Sequence, residues 1–327
     1  MKKGYKEMKK RIFIFALFLA AGFGSAAHAQ TYPTRPVRLV VPFPPGGSSD
    51  LMARMVALRL SEVLGQPVVV ESRPGAGATL GSRLVATSPP DGYTLLGSNA
   101  ASQGTAPGMG PVPYDPVTDF THIGLVGTIA QYLVVNPDVP AKTLAEFVAY
   151  GQANPGKLNL GTAGNGSIGH FAGALFMSRT KLNMVVVPYK GTAEATQDLI
   201  AGRVQAVFQN APEAAPLIKA GRVRLLAVTG AKREASFPQV PTFEESGYPG
   251  FVNYTWNGIS GPKGMPDEVV KRLDSTLRSI MAEPAMREKL ISLGVNPGQM
   301  NSAQYTDFVR TEVSKFRRLA QEYGISQ

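Results

Sequence analysis

The sequence predicts an α/β fold of two lobes, each a mostly parallel sheet flanked by helices, a shape shared by cleft-type binding proteins and many two-domain enzymes. Three observations carry this. Short apolar runs alternate with amphipathic stretches along most of the chain. Several runs are continuously apolar, as in strands covered on both faces. The 35 glycines and 26 prolines supply the tight turns that such an alternation needs. Zero cysteine excludes disulfides, thiolate zinc sites and a cysteine nucleophile.

The first strand is expected over 37–41, ended by Pro42-Phe43-Pro44-Pro45-Gly46-Gly47. Ser48, Ser49 and Asp50 are N-cap candidates for a helix marked by Leu51, Met55, Leu58 and Val63 at near-helical spacing. A strand over 68–70, a turn over 74–78, a helix over 79–86 and a strand over 93–96 complete a βαβαβ run, wound right-handedly. Residues 98–118 are rich in Gly, Pro and Ala without periodicity and read as a loop or channel-lining segment. Strands over 122–128 and 132–135 precede a second alternation. It comprises a helix over 144–153, a strand over 158–160, a glycine-rich loop and a helix over 171–178. A strand over 184–187, a helix over 193–200, a strand over 204–208, a helix over 214–220 and a strand over 223–228 follow. Gly202 and Gly221 each stop a helix just before a strand, the same device used twice. Residues 236–250, punctuated by Pro238, Pro241 and Pro249, resemble a return crossing. A β-like stretch over 251–259 leads to closing helices over 266–282, 284–293 and 302–323. The first lobe is thus expected over 30–130, the second over 131–250, with 251–327 returning to the first.

Residues 1–29 read as a signal peptide. Six basic residues precede an apolar run of about 12 residues over 12–23, and Ala27-His28-Ala29 offers a small-x-small cleavage site before Gln30. That run is short of the roughly 20 residues of a membrane-spanning helix. Met8 is an alternative start. Of the formal +10, the leader accounts for half, leaving +5 on the exported chain (33 − 6 basic and 23 − 1 acidic residues). The densest basic cluster, Lys315, Arg317 and Arg318, reads as a solvated helix face. No aromatic-interleaved basic stripe suggests nucleic acid, and export argues against it.

Two glycine-containing strand-to-helix loops are suited to an anion: 42–50 and 161–170. Helix-start N–H groups converge there and the helix dipole favours negative charge. Gly164, Gly166 and Gly169 spell G-x-G-x-x-G, but the zone about 20 residues on holds no acid for a ribose, so a dinucleotide is not expected. No G-K-[ST] follows either loop. Past the leader only His122 and His170 remain, too few for a histidine-rich metal site, and no metal or cofactor is expected. Asn165 breaks the G-x-S-x-G elbow around Ser167. Asp115 and Asp119 read as turn formers, and Asp50 as a helix cap. His170 either donates to a ligand or caps its own loop. Trp256 suits hinge or core packing better than ligand stacking.

Six segments carry a resemblance. They are YPTRPVRLVVPFPPGGSSD (32–50), VVVESRPGAGATLGS (68–82), DGYTLL (91–96), NPGKLNLGTAGNGSIGH (154–170), VPYKGTAEATQDLIAGRVQAVF (187–208) and WNGISGPKGMP (256–266). In order, from about 32 to 294, the chain resembles the periplasmic solute receptors of tripartite tricarboxylate transporters, the Bug or TctC-like family. The resemblance implies a type II-like periplasmic binding protein that captures a small organic carboxylate, di- or tricarboxylate or aromatic acid, and delivers it to membrane permease subunits. It implies a pocket of Phe43, Pro45, Gly46, Gly47, Ser48, Ser49 and Asp50 from one lobe, partly through ordered waters. From the other lobe it implies Gly164, Asn165, Gly166, Ser167 and His170, with Tyr189, Lys190 and Gly191. Ala100 and Ala101 would close one wall. Where the family often carries an Asp after the 204–208 strand, Gln209-Asn210 stand here, which points to a carboxylate without an ammonium group, with Gln209 at the pocket. A monomer is expected. A ligand-sensing subunit and an exported α/β enzyme using His170 or Asp50 are the alternatives.

Overall fold

The computed structural model describes residues 32–326; the proposed leader and its cleavage site lie outside the described residues. From Val37 the chain alternates as expected. Strand β1 (Val37–Val41) is followed by α1 (Ser48–Leu64), β2 (Val68–Ser72), a 3-10 turn (Ala76–Ala78), α2 (Thr79–Ala86) and β3 (Thr94–Asn99). A π-helical turn (Ala101–Thr105) runs into the short α3 (Ala106–Met109), and β4 (Phe120–Val135) follows. The second alternation is α4 (Leu144–Ala153), β5 (Leu158–Thr162), α5 (Ile168–Thr180), β6 (Met184–Pro188), α6 (Thr192–Ile200), β7 (Ala206–Asn210), α7 (Ala211–Lys219) and β8 (Arg224–Val228). The return comprises β9 (Tyr254–Pro262), α8 (Asp267–Ala282), α9 (Pro284–Ser292), β10 (Val295–Pro297) and α10 (Ser302–Tyr323).

Two parallel triplets form the ends of the sheet, β2-β1-β3 and β7-β5-β6. Between them β9 and β4 run antiparallel to their neighbours. The two strands expected over 122–128 and 132–135 are one 16-residue strand. Phe120–Ala130 of β4 pairs with β9, and Gln131–Val135 pairs with β7 and β8. Register shifts near Gly124 and Gly127 let it bend without breaking. A Cβ on Gly127 would lie 2.7 Å from Asn296 O, so only glycine lets β10 pair there. The three-residue β10 is too short to have left a strand signature in the sequence.

Helix α1 corrects a sequence expectation. Leu51, Leu58 and Val63, the residues that mark the helix, are exposed, Leu58 by 63%. The buried stripe is Met52, Val56, Leu60 and Leu64, with Ala53 and Ala57. Both stripes have helical spacing, and the sheet packs on the second. The N-cap is Gly47, one residue before the three polar candidates. The segment 98–118 is not loop throughout, since it holds the π turn and α3.

The core is built in parts. Phe208, Phe243 and Phe251 stack inside the cluster around β5 and β7, with Phe176 edge-on to Phe208 and Phe243. A second cluster joins α5 to α10, with Phe171 and Phe316 rings 5.1 Å apart. Trp256 belongs there: it is fully buried, and its Nε1 donates to Glu312 Oε2 at 3.0 Å. Asp115 Oδ1 accepts from the N–H groups of Val117 and Thr118, and Asp119 Oδ2 from that of Asp115, as turn formers do.

Candidate functional site

In an open α/β sheet, ligands bind beyond the carboxyl ends of the parallel strands. Loop 42–50 follows β1, the π turn follows β3, loop 163–167 follows β5, residues 189–191 follow β6, and β7 ends on Gln209-Asn210. Cross-contacts bring the first triplet's loops to the second's. Ser48 Oγ donates to Glu213 Oε1 at 3.2 Å, and Asn210 Nδ2 donates to Ser48 Oγ at 3.2 Å. Met109 lies against Gly166, where an added Cβ would fall 2.0 Å from its methyl carbon.

The clearest chemical mark is a set of buried side-chain polar atoms with no hydrogen-bond partner. Such atoms are costly, about 1–3 kcal/mol each, and few in native proteins. Among the described residues they are Asp50 Oδ1, Ser72 Oγ, Asn99 Nδ2, both amide atoms of Gln103, Gln209 Oε1, Asn210 Oδ1 and Glu213 Oε2. Ser72, Asn99, Gln103, Gln209, Asn210 and Glu213 sit at, or within four residues beyond, the carboxyl end of β2, β3 or β7, and Asp50 lies in the first turn of the helix that follows β1. A shared location for otherwise costly atoms is what a polar ligand, with its waters, would offset. A separate groove of about 490 Å³ between α3 and the end of α10, lined in part by Pro107, Arg317 and Ile325, contains none of them.

The first loop is shaped by Asp50. Its Oδ2 accepts from Gly46 N–H at 3.1 Å and from Arg54 Nε at 2.9 Å. Burial works against its charge, but these two bonds and Arg54's charge hold the carboxyl below its ordinary value. Gly46 has φ +93°, a conformation that suits glycine, and no side chain caps the N-terminus of α1. Phe43, Ser48 and Ser49 are half-buried around it, with Pro45 and Gly46 exposed at the rim.

The second loop closes on itself. Ser167 Oγ accepts from His170 N–H at 3.2 Å, and His170 Nδ1 accepts from Gly166 N–H at 3.2 Å. Of the two roles open to His170, the capping role is the one occupied. As an acceptor at Nδ1 the ring is neutral, and burial lowers its pKa accordingly. Asn165 is exposed at the tip, and Gly164 takes φ +116°. Tyr189 turns its hydroxyl to Asp198 Oδ2 at 2.7 Å, and Arg203 holds the same carboxylate at 2.6 Å. Lys190 is exposed, its backbone N–H on Glu194 Oε2. Gly191 starts α6 without a side-chain cap, and Asn210 does the same for α7. Ala100 is buried in the cluster under α10, which leaves half-buried Ala101 as the accessible member of that pair.

Ser72, Asn99, Gln103 and Glu213 are absent from the residues expected from sequence. Asn99 and Gln103 lie in SNAASQG, and two amides in an otherwise small-residue stretch were the available signal. Glu213 had none, because its burial depends on Ser48, 165 positions away. Burial raises its pKa, against the lowering effect of the Ser48 and Asn210 bonds.

Known proteins agree with this architecture. The family described as tripartite tricarboxylate transporter family receptor, TctC, matches over residues 52–325. The chain is 35% identical to protein BugT of Bordetella pertussis over 322 residues, 97% of this chain and 98% of that protein. Among solved structures, it is similar to Rpa4515 of R. palustris with adipate (TM-score 0.84, 35% identity, 90% of this chain and 99% of that one). It is also similar to the periplasmic binding protein BugD (0.80, 35%, 90% and 99%). MatC of Rhodopseudomonas palustris with bound malate is similar too (0.79, 31%, 88% and 99%). The chain belongs to the TctC family of tripartite tricarboxylate transporter receptors, periplasmic solute-binding proteins with the two-lobed α/β fold.

Proposed function

We propose that the protein captures a small organic carboxylate, a di- or tricarboxylate or an aromatic acid, between two lobes and delivers it to the permease subunits of a tripartite transporter. The lobes are residues 30–130 with 251–327, and 131–250. Residues 1–29 direct export and are removed near Ala29/Gln30, and the receptor acts as a monomer. The observation that carries the reading is the set of unpaired buried polar atoms gathered at the strand ends, beside uncapped helix N-termini. Three hydrogen bonds to a charged group, at up to about 3 kcal/mol each, reach the roughly 8 kcal/mol of micromolar affinity. The adipate and malate of two similar structures support the ligand class.

Thermal unfolding with a panel of mono-, di- and tricarboxylates and aromatic acids tests this. A ligand at 100 times its Kd adds about 2.7 kcal/mol of stability. A panel in which no acid raises Tm removes the receptor reading. Turnover of a bound acid, abolished in His170→Ala, would favour an exported enzyme instead.

A further inference from the structure

Two amides at the end of β7 are each held with the carbonyl oxygen unpaired, and their neighbours decide that orientation. Thr196 Oγ1 donates its one proton to Thr192 O at 2.7 Å. Toward Gln209 it can therefore only accept, and it does so from Gln209 Nε2 at 2.9 Å. Gln209 Oε1 is left buried and unpaired, on a side chain only 3% exposed. The same logic holds next door. Ser48 Oγ donates to Glu213 Oε1 and accepts from Asn210 Nδ2, leaving Asn210 Oδ1 unpaired. The complementary donors stand at the end of β3. Asn99 Oδ1 accepts from the N–H groups of Ala101 and Ser102, so its Nδ2 is free, and Gln103 is unpaired at both amide atoms.

A bare carboxylate has acceptors alone. It can satisfy Asn99 Nδ2, Gln103 Nε2 and the helix-start N–H groups, but it leaves the carbonyl oxygens of Gln209 and Asn210, like that of Gln103, without a donor. A site that keeps buried acceptors rejects ligands lacking the matching donor far more strongly than it rejects a change of size. We infer that the ligand is a carboxylate that also carries a hydrogen-bond donor, a hydroxyl or an ammonium group, and that Gln209 and Asn210 determine specificity by accepting from it. This rests on the receptor reading and departs from the expectation that Gln209-Asn210 marks a plain carboxylate.

The test is isothermal titration of matched trios: succinate, malate and aspartate, then phenylpropanoate, phenyllactate and phenylalanine, extended to the trio of any acid that the thermal panel selects. The hydroxy or amino member of the preferred trio binds at least about tenfold tighter than the bare acid, the effect of one hydrogen bond of about 1.4 kcal/mol. Which member wins separates hydroxyl from ammonium. Gln209→Met, close in shape but without the acceptor, brings the trio to within about threefold, because the hydroxy or amino member loses its partner and the bare acid loses its penalty. Asn210→Leu is the second variant should Gln209→Met fail to fold. A bare acid that binds as well as or better than its analogues overturns this inference and leaves the receptor function standing. Binding by no acid at all overturns both.

Discussion

The two glycine loops read alike in the sequence and differ in how their helix starts are closed. In loop 42–50 the side chain that reaches back, Asp50, takes the N–H of Gly46 and leaves α1 uncapped. In loop 161–170, Ser167 and His170 take the N–H groups of His170 and Gly166. A glycine-rich strand-to-helix turn serves an anion only where no side chain has already answered its donors. The first loop therefore leaves more helix-start donors open than the second.

Acid gives the largest effect and separates the two histidines. His122 is buried, its Nε2 on Pro116 O at 3.1 Å and Nδ1 on Ser260 Oγ at 2.9 Å, and burial first, with Arg310 adding, lowers its pKa from 6.5 to about 4. As pH falls through 6.5 the unfolded chain takes up a proton that the native chain refuses until about 4. The stability from this group is full above 6.5 and declines by about 3 kcal/mol by pH 4. His170, lowered by burial too, acts with the same sign in the second loop only. Asp50, below its ordinary value, stays ionised through this window and keeps the first loop anchored. Glu213, raised by burial, gains stability as pH falls and opposes the trend, so the variants rather than the wild-type curve are diagnostic. In urea melts at pH 7 and 4.5, His122→Gln removes most of the slope and His170→Ala a smaller part. Slopes unchanged in both variants would refute the assignment.

Asp50→Ala comes next. It strips Gly46 N–H and Arg54 of their shared acceptor in a side chain 4% exposed, a loss of about 1–3 kcal/mol in denaturant melts. Asp50→Asn retains an acceptor for Gly46 and loses less. Equal losses would mean that Arg54's charge, not the loop bond, matters.

Gly47→Val probes binding alone. Gly47 has φ −80° and ψ 169°, allowed to valine, with nothing within 4 Å of an added Cβ. Stability stays within about 0.5 kcal/mol while the Kd for the carboxylate rises at least about tenfold, or 1.4 kcal/mol. An unchanged Kd takes the first loop out of the pocket. The smallest effect is His170→Ala at neutral pH: about 1 kcal/mol of stability from the lost Gly166 bond, and affinity changed less than about threefold. A larger loss of affinity would return His170 to ligand contact.

Much of the fold was legible because local signals agreed with it. The helix over 79–86 has the bounds read from sequence, and both glycine stops end helices as expected. The misreadings share one cause. On α1, Leu51, Leu58 and Val63 compete with Met52, Val56, Leu60 and Leu64, and spacing alone does not say which stripe meets the sheet. The gap left at 129–131 in reading β4 as two strands falls where the strand passes from β9 to β7 and β8, a change of partner that spacing does not reveal. For the candidate site, the loops were visible through their glycines, but Ser72, Asn99, Gln103 and Glu213 become conspicuous only once burial leaves them unpaired.

The sequence by itself determined the alternation of strands and helices, the family, and the two glycine loops at strand ends. Those rest on short-range periodicity and turn chemistry, written within a few residues of one another. Tertiary structure alone decided which donors and acceptors remain free. A hydroxyl such as Ser48 or Thr196 has one proton, and where that proton goes is fixed by partners that only folding brings within reach.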